Sequence, residues 1–131
     1  MAEGAGAGGA APAAAAAVGL LSTVPTPEDA GPIVGQASVV DGDTIEIHGQ
    51  RIRFAGIDAP ESDQLCRDED SALYRCGQKA ANDLAAFIDR RPVQCIEVDR
   101  DRYGRAVAVC TVAGVDLADW LVRSGLALDR P

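Results

Sequence analysis

Residues 39–54 read Val39-Val40-Asp41-Gly42-Asp43-Thr44-Ile45-Glu46-Ile47-His48-Gly49-Gln50-Arg51-Ile52-Arg53-Phe54. Apolar and polar residues alternate from Thr44 to Ile47 and again around Ile52 and Phe54, the period of a strand with one buried face. Asp41-Gly42 and His48-Gly49 interrupt the alternation with residues that favour tight turns. Three antiparallel strands are therefore expected, the first starting near Ile33 and the third running on towards Ile57. His48, the sole histidine, is expected at an exposed hairpin tip, with no partner for acid–base work. Arg53 alternates with Ile52 and Phe54, so it points away from the face that buries those two.

Around this core stretch the acids fall where strands end. Asp41 and Asp43 sit at the first turn, and Ile57-Asp58-Ala59-Pro60-Glu61 follows the third strand. Strand ends and loops are where sites are usually built. Carboxylate and carbonyl oxygens suit a hard divalent cation such as calcium, and an arginine fork suits a phosphate. Taken singly, each aspartate reads equally well as a turn former and Glu61 as a solvated loop acid.

Further along, a polar, charge-mixed loop is expected up to Arg75. A helix is expected from Gly77 to about Arg90, with Ala80, Leu84, Phe87 and Ile88 on one stripe and Arg91-Pro92 ending it. Val93–Val98 and Ala106–Val112 then read as a second strand pair around Asp101-Arg102-Tyr103-Gly104, and Val115–Ser124 as a short helix closed by Gly125. Trp120 is expected to pack in the core. Three strands, a helix, two strands and a helix make a β-rich α+β domain, in the order of a five-stranded Greek-key barrel of the OB type, a fold that commonly binds oligonucleotides.

The 131 residues hold one domain, placed at 33–131, preceded by an Ala/Gly/Pro-rich stretch at 1–32 that reads as a tail or the remnant of a secretory signal. The apolar run Ala10–Leu21 is too short to span a bilayer, and Met1-Ala2-Glu3-Gly4 lacks the positive start of a signal. Twelve basic and 20 acidic residues give a net charge of −8, which argues against a general electrostatic footprint for nucleic acid. Polyanion binding must be local; Lys79 is the sole lysine, and arginine suits bidentate phosphate contacts. Cys66, Cys76, Cys95 and Cys110 show no zinc-type spacing and allow three pairings. Pairing Cys66 with Cys76 would staple the acidic loop, and Cys95 with Cys110 the second hairpin. Two disulfides imply an oxidising, extracytoplasmic compartment; the alternative is four reduced cysteines acting as small apolar residues.

Val40-Asp41-Gly42-Asp43-Thr44, Arg53, Gly56-Ile57-Asp58-Ala59-Pro60-Glu61, Gly77-Gln78 before a helix, and Asp101-Arg102-Tyr103-Gly104-Arg105 together resemble the thermonuclease, or staphylococcal nuclease-like, family from residue 34 to about 128. The resemblance implies an OB-fold barrel and calcium-dependent hydrolysis of DNA and RNA that leaves 3′-phosphates. It implies Asp43, Asp58 and the Ala59 carbonyl as calcium ligands, with Asp41 acting from behind them. It further implies Glu61 as the group that activates water, Arg53 and Arg105 on the scissile phosphate, and Arg102 and Tyr103 on the nucleotide. Family members continue past the position of Pro131 with aromatic residues and a further helix, so a domain lacking that helix is expected here. A monomer with nucleic acid as substrate, no membrane association and no protein partner is the expectation. The competing reading is a non-catalytic OB-type binding module or an inactive relative.

Overall fold

The computed structural model describes residues 31–130. The stretch read as a tail therefore lies outside the described residues except for Gly31 and Pro32. Six strands form one pleated path: β1 (Ile33–Gly35), β2 (Ala37–Asp41), β3 (Thr44–Ile47), β4 (Gln50–Phe54), β8 (Val93–Arg100) and β9 (Ala106–Val112). They lie in the order β1-β8-β9-β4-β3-β2. The two ends of that path, β1 and β2, are consecutive in the chain with only Gln36 between them, so the expected first strand is split between the two ends of the sheet. Its first half pairs with β8 (Ile33 opposite Cys95) and its second with β3 (Ala37 opposite Ile47). The expected turns hold: β3 and β4 pair from Ile47–Gln50 to Thr44–Arg53 across His48-Gly49, and exposed His48 rests its Nε2 3.0 Å from the Val34 carbonyl.

One pairing in the path is parallel. Ala106, Val107 and Ala108 of β9 lie opposite Ile52, Arg53 and Phe54 of β4. Because side chains alternate along a strand, Ala106 and Ala108 enter the interior with Ile52 and Phe54, while Val107 emerges beside Arg53. Arg105, two residues before Val107, belongs to that same outer face. The inner face is completed by Ile45, Ile47, Val93, Val112 and the two helices' Leu84, Leu117 and Leu121, each fully buried.

The helices arrive as expected, with different ends. α1 spans Cys76–Ile88 and stops at Asp89 and Arg90, both in the left-handed region, before Pro92 can act. It buries Ala80, Ala81, Leu84 and Ile88, whereas Phe87 is only partly covered. The second helix, α2 (Leu117–Arg123), begins two residues later than expected. Val115–Asp116 instead form a short strand, β10, folded back on β9 across Ala113-Gly114, and the Asp116 carboxylate caps the helix by accepting from Asp119 N–H. Trp120 stacks on Phe87 with ring centroids 4.3 Å apart, joining the two helices. Two further corrections concern short strands. Ile57 does not extend β4: the chain turns at Gly56 (φ 80), and β5 (Ile57–Asp58) pairs with β11 (Leu128–Asp129). The segment read as a loop contains a hairpin, β6 (Cys66–Arg67) with β7 (Leu73–Tyr74), held by Asp68 Oδ1 accepting from Asp70 and Ala72 N–H.

Both disulfides form in the expected pairing, Cys66–Cys76 and Cys95–Cys110. The second joins residues directly opposite in the β8–β9 register, inside the core. Closing a loop of this size restricts the unfolded chain by about 3 kcal/mol. Replacing Cys95 and Cys110 together by alanine should lower the free energy of unfolding by at least that order in urea titrations, with native far-UV circular dichroism retained.

Candidate active site

Where β3 begins and β4 and β5 end, three of the residues picked out by sequence converge. Asp43 closes the turn before β3, and Phe54 N–H donates to its carbonyl (2.9 Å), so the end of β4 is fastened beside it. Asp43 is 7% exposed, and a buried carboxylate persists only where its oxygens are matched. Oδ1 accepts from Thr44 Oγ1 (3.0 Å) and Oδ2 from Ala59 N–H (3.0 Å), with Arg53 Nη2 at 3.5 Å. The same Arg53 nitrogen donates to Asp58 Oδ1 at 2.6 Å. Arg53 is 14% exposed and Asp58 57%, so the guanidinium stands half inside the fold with one carboxylate beneath it and one at the rim. Close packing permits this: a Cβ on Gly42 would meet Ala80 and Ala59 side chains at 2.9 and 3.0 Å, so only glycine lets α1 come up under the Asp41–Asp43 turn.

Asp41 has different company. Its Oδ1 accepts from Ser62 N–H (2.7 Å) and lies 2.6 Å from the Ser62 hydroxyl, which also touches the Val40 carbonyl. Asp41 thus fastens the residue after Glu61 to the end of β2. Glu61 is held from its other side as well: its N–H reaches Gln64 Oε1 (3.3 Å) and its carbonyl accepts from Gln64 N–H (2.8 Å). That carbonyl lies against Gly77, where a Cβ would approach it to 1.6 Å. Glycine is therefore required at the first turn of α1, and the Cys66–Cys76 link closes the loop between. The Glu61 backbone is fixed at three points while its side chain is exposed to solvent.

A concave surface of about 390 Å³ adjoins Arg53. Arg53, Arg102, Arg105 and Arg130 line it with Tyr103 and a single acid, Asp101. Asp101 organises this turn: Oδ1 accepts from Tyr103 and Arg105 N–H (2.9 Å each), and Oδ2 from Arg105 Nε (2.6 Å). The Arg102 and Arg105 guanidinium carbons lie 5.3 and 6.0 Å from the centre of the Tyr103 ring. Burial pushes the Asp101 carboxyl upward, but the hydrogen bonds and charge from Arg105, with the Tyr103 N–H, outweigh it and hold the group below its ordinary value.

The fold thus gathers Arg53, Arg102, Tyr103 and Arg105 on one surface, with Asp43 and Asp58 at its edge. Asp41 and Glu61 do not line that surface; Asp41 is bonded to Ser62, the residue after Glu61. Among the described residues no three acids, histidines or cysteines converge as a ready metal cage. The donor chemistry nevertheless suits a hard cation, since Asp43 and Asp58 both offer carboxylate oxygens around Arg53. Sequence reasoning missed Ser62, Gln64 and Arg130. Ser62 follows directly on Glu61 but carries no motif of its own, and Arg130 comes into play only through the β5–β11 pairing.

A profile of the staphylococcal nuclease homologue family matches residues 51–130. The chain belongs to the staphylococcal nuclease-like family. It is 50% identical over 116 residues to the succinoglycan biosynthesis protein ExoI of Rhizobium meliloti (strain 1021), covering 85% of this chain and 61% of that one. It is 39% identical over 102 residues to the micrococcal nuclease of Shigella flexneri (74% and 51%), and 35% identical over 104 residues to protein ParB of Escherichia coli (76% and 51%). The chain therefore spans between half and about three fifths of the length of these relatives.

The Asp101 turn yields a pH signature. A carboxyl whose folded pKa is depressed adds stability above its ordinary value of 3.8 and loses it as pH falls through the folded value. The stability difference between the parent and Asp101→Asn should be constant near neutrality and shrink in acid. Parallel urea titrations at several pH values would show it, and a difference that grows in acid contradicts the assignment.

Proposed function

We propose that this chain is a calcium-dependent nuclease that hydrolyses phosphodiester bonds of DNA and RNA and leaves 3′-phosphates. The observation that carries the reading is the Arg53 guanidinium set between Asp43 and Asp58 on the rim of a four-arginine surface, in a protein whose net charge is −8. Such a local concentration of guanidinium forks in an acidic protein suits a phosphate bound at one place. The closed strand order, with β4 and β9 parallel, supports a five-stranded Greek-key barrel of the OB type.

In this reading Glu61 takes a proton from water as the water oxygen bonds to phosphorus. The bond from phosphorus to the 5′-oxygen breaks, and that oxygen leaves as a hydroxyl after protonation from solvent, giving the 3′-phosphate product. Charge collects on the phosphoryl oxygens during the attack, and Arg53 and Arg105 meet it with oriented donors. Arg102 and Tyr103 hold the nucleotide alongside. A calcium ion held by Asp43, Asp58 and the Ala59 carbonyl would supply further positive charge at the phosphate and leave the Arg53 guanidinium for the substrate. Asp41 serves this scheme through Ser62, by fixing where Glu61 leaves the chain. The two disulfides support a place outside the cytoplasm. Among the described residues no helix is long and apolar enough to cross a membrane. A monomer without a protein partner completes the reading.

A second reading, a non-catalytic OB-type nucleic-acid-binding module, draws on Glu61: its carboxylate makes no hydrogen bond or ion pair with Arg53 or Arg105. The two differ on what Glu61→Gln does. As a nuclease, the chain should cut single-stranded DNA with calcium and not with chelator, and Glu61→Gln should slow cleavage about 10²–10⁴-fold while calcium binding, followed by calorimetry, persists. As a binding module it should show no metal-dependent cleavage, and the substitution should leave or tighten oligonucleotide binding. If Ser62 positions Glu61, Ser62→Ala should reduce kcat with KM little changed, and Ser62→Thr should restore it.

A further inference from the structure

Arg130 lies on the same concave surface as Arg53, Arg102 and Arg105, yet it is bound differently from the two arginines assigned to the phosphate. Its backbone is fixed. Strand β11 pairs with β5 (Leu128 opposite Asp58, Asp129 opposite Ile57), and Arg130 N–H donates to the Gly56 carbonyl at 2.8 Å. The side chain therefore starts from a defined point across the Gly56–Asp58 turn. Its fork is free for a ligand: among the described residues its one ion pair is with Asp58 Oδ1 at 3.8 Å, beyond hydrogen-bond length, with both side chains more than half exposed. Asp58 already accepts from Arg53 at 2.6 Å, and Arg105 is committed to Asp101 at 2.6 Å. Arg130 adds charge to a surface on which Asp101 is the one acid, and among the described residues only the long Asp58 contact engages that charge.

We propose that Arg130 binds a second phosphate of the strand, adjacent to the one held at Arg53, so that the site takes a polynucleotide spanning at least two phosphates in preference to a lone phosphodiester. The proposal rests on the reading of Arg53 and Arg105 as phosphate ligands. A guanidinium fork matches two phosphate oxygens, and a position 55% exposed at the rim suits a backbone that passes over the site.

The test measures binding and turnover separately. In the Glu61→Gln background with calcium, affinity for a fluorescent single-stranded oligonucleotide is followed by anisotropy across a salt series, alone and with Arg130→Ala, Arg130→Lys or Arg123→Ala. One lost phosphate contact on a single strand should reduce the slope of log K against log salt by about 0.7. Arg130→Ala should show that loss, Arg130→Lys should keep most of the slope, and Arg123→Ala, which removes an equal charge from the α2 surface, should change nothing. In the active chain, Arg130→Ala should raise KM for the oligonucleotide with kcat held, by a larger factor than it raises KM for a nucleoside p-nitrophenyl phosphodiester. An Arg130→Ala slope equal to that of Arg123→Ala overturns the inference, even if cleavage proves the nuclease reading right. Loss of the slope contribution in a chain that never cleaves upholds the inference and overturns the nuclease. Absence of any oligonucleotide binding overturns both.

Discussion

Arg53 donates to Asp58 from the nitrogen that also faces Asp43, and the arrangement around it depends on that one guanidinium. Asp43 belongs to the turn before β3, Arg53 to β4 and Asp58 to β5, so one cation ties three successive segments together where their strands end. The cost of burying Asp43 is met by Thr44, the Ala59 N–H and Arg53 together. Removing the Thr44 hydroxyl would leave the buried Oδ1 without its one hydrogen-bond donor among the described residues, a larger penalty than the net gain from making the bond. The site edge is therefore stiff by construction, even though Asp58 itself is at the surface.

A second layer of contacts holds the loops that approach this edge. Asp41 with Ser62, Gln64 with the Glu61 peptide, and the bare face of Gly77 fix the segment after β5 from three sides. Asp101 does the same for the turn before β9, accepting from two peptide N–H groups and one guanidinium. In both places an aspartate organises backbone. Many of the acids among the described residues are engaged in turns, a helix cap and ion pairs, while four of the eleven arginines share one concave surface.

Much of this was legible because it is local. Alternation around Ile45, Ile47, Ile52 and Phe54 gave the strands and the inward face, and Asp41-Gly42 and His48-Gly49 gave the turns, since strand period and turn chemistry depend on neighbours in sequence. The ordered set of motifs pointed to the family to which the chain belongs. The pairing of Cys95 with Cys110 followed from their placement about a hairpin tip. What failed was also local in origin: Val115 had helical neighbours but was drawn into a strand, because β9 offered it backbone partners across the Ala113-Gly114 turn.

By itself, then, the sequence determined the two helices, most of the long strands and the inward-facing residues. Only the tertiary structure decided who meets whom. The parallel pairing of β9 with β4 sets Val107 beside Arg53, and hence Arg105 on the same outer face. The split of the first strand at Gln36 brings the ends of the sheet together, and the union of β5 with β11 carries Arg130 to the rim. These pairings join residues that are distant in the chain, and their choice turns on burying one shared core, a sum over the whole domain that no short stretch of sequence contains.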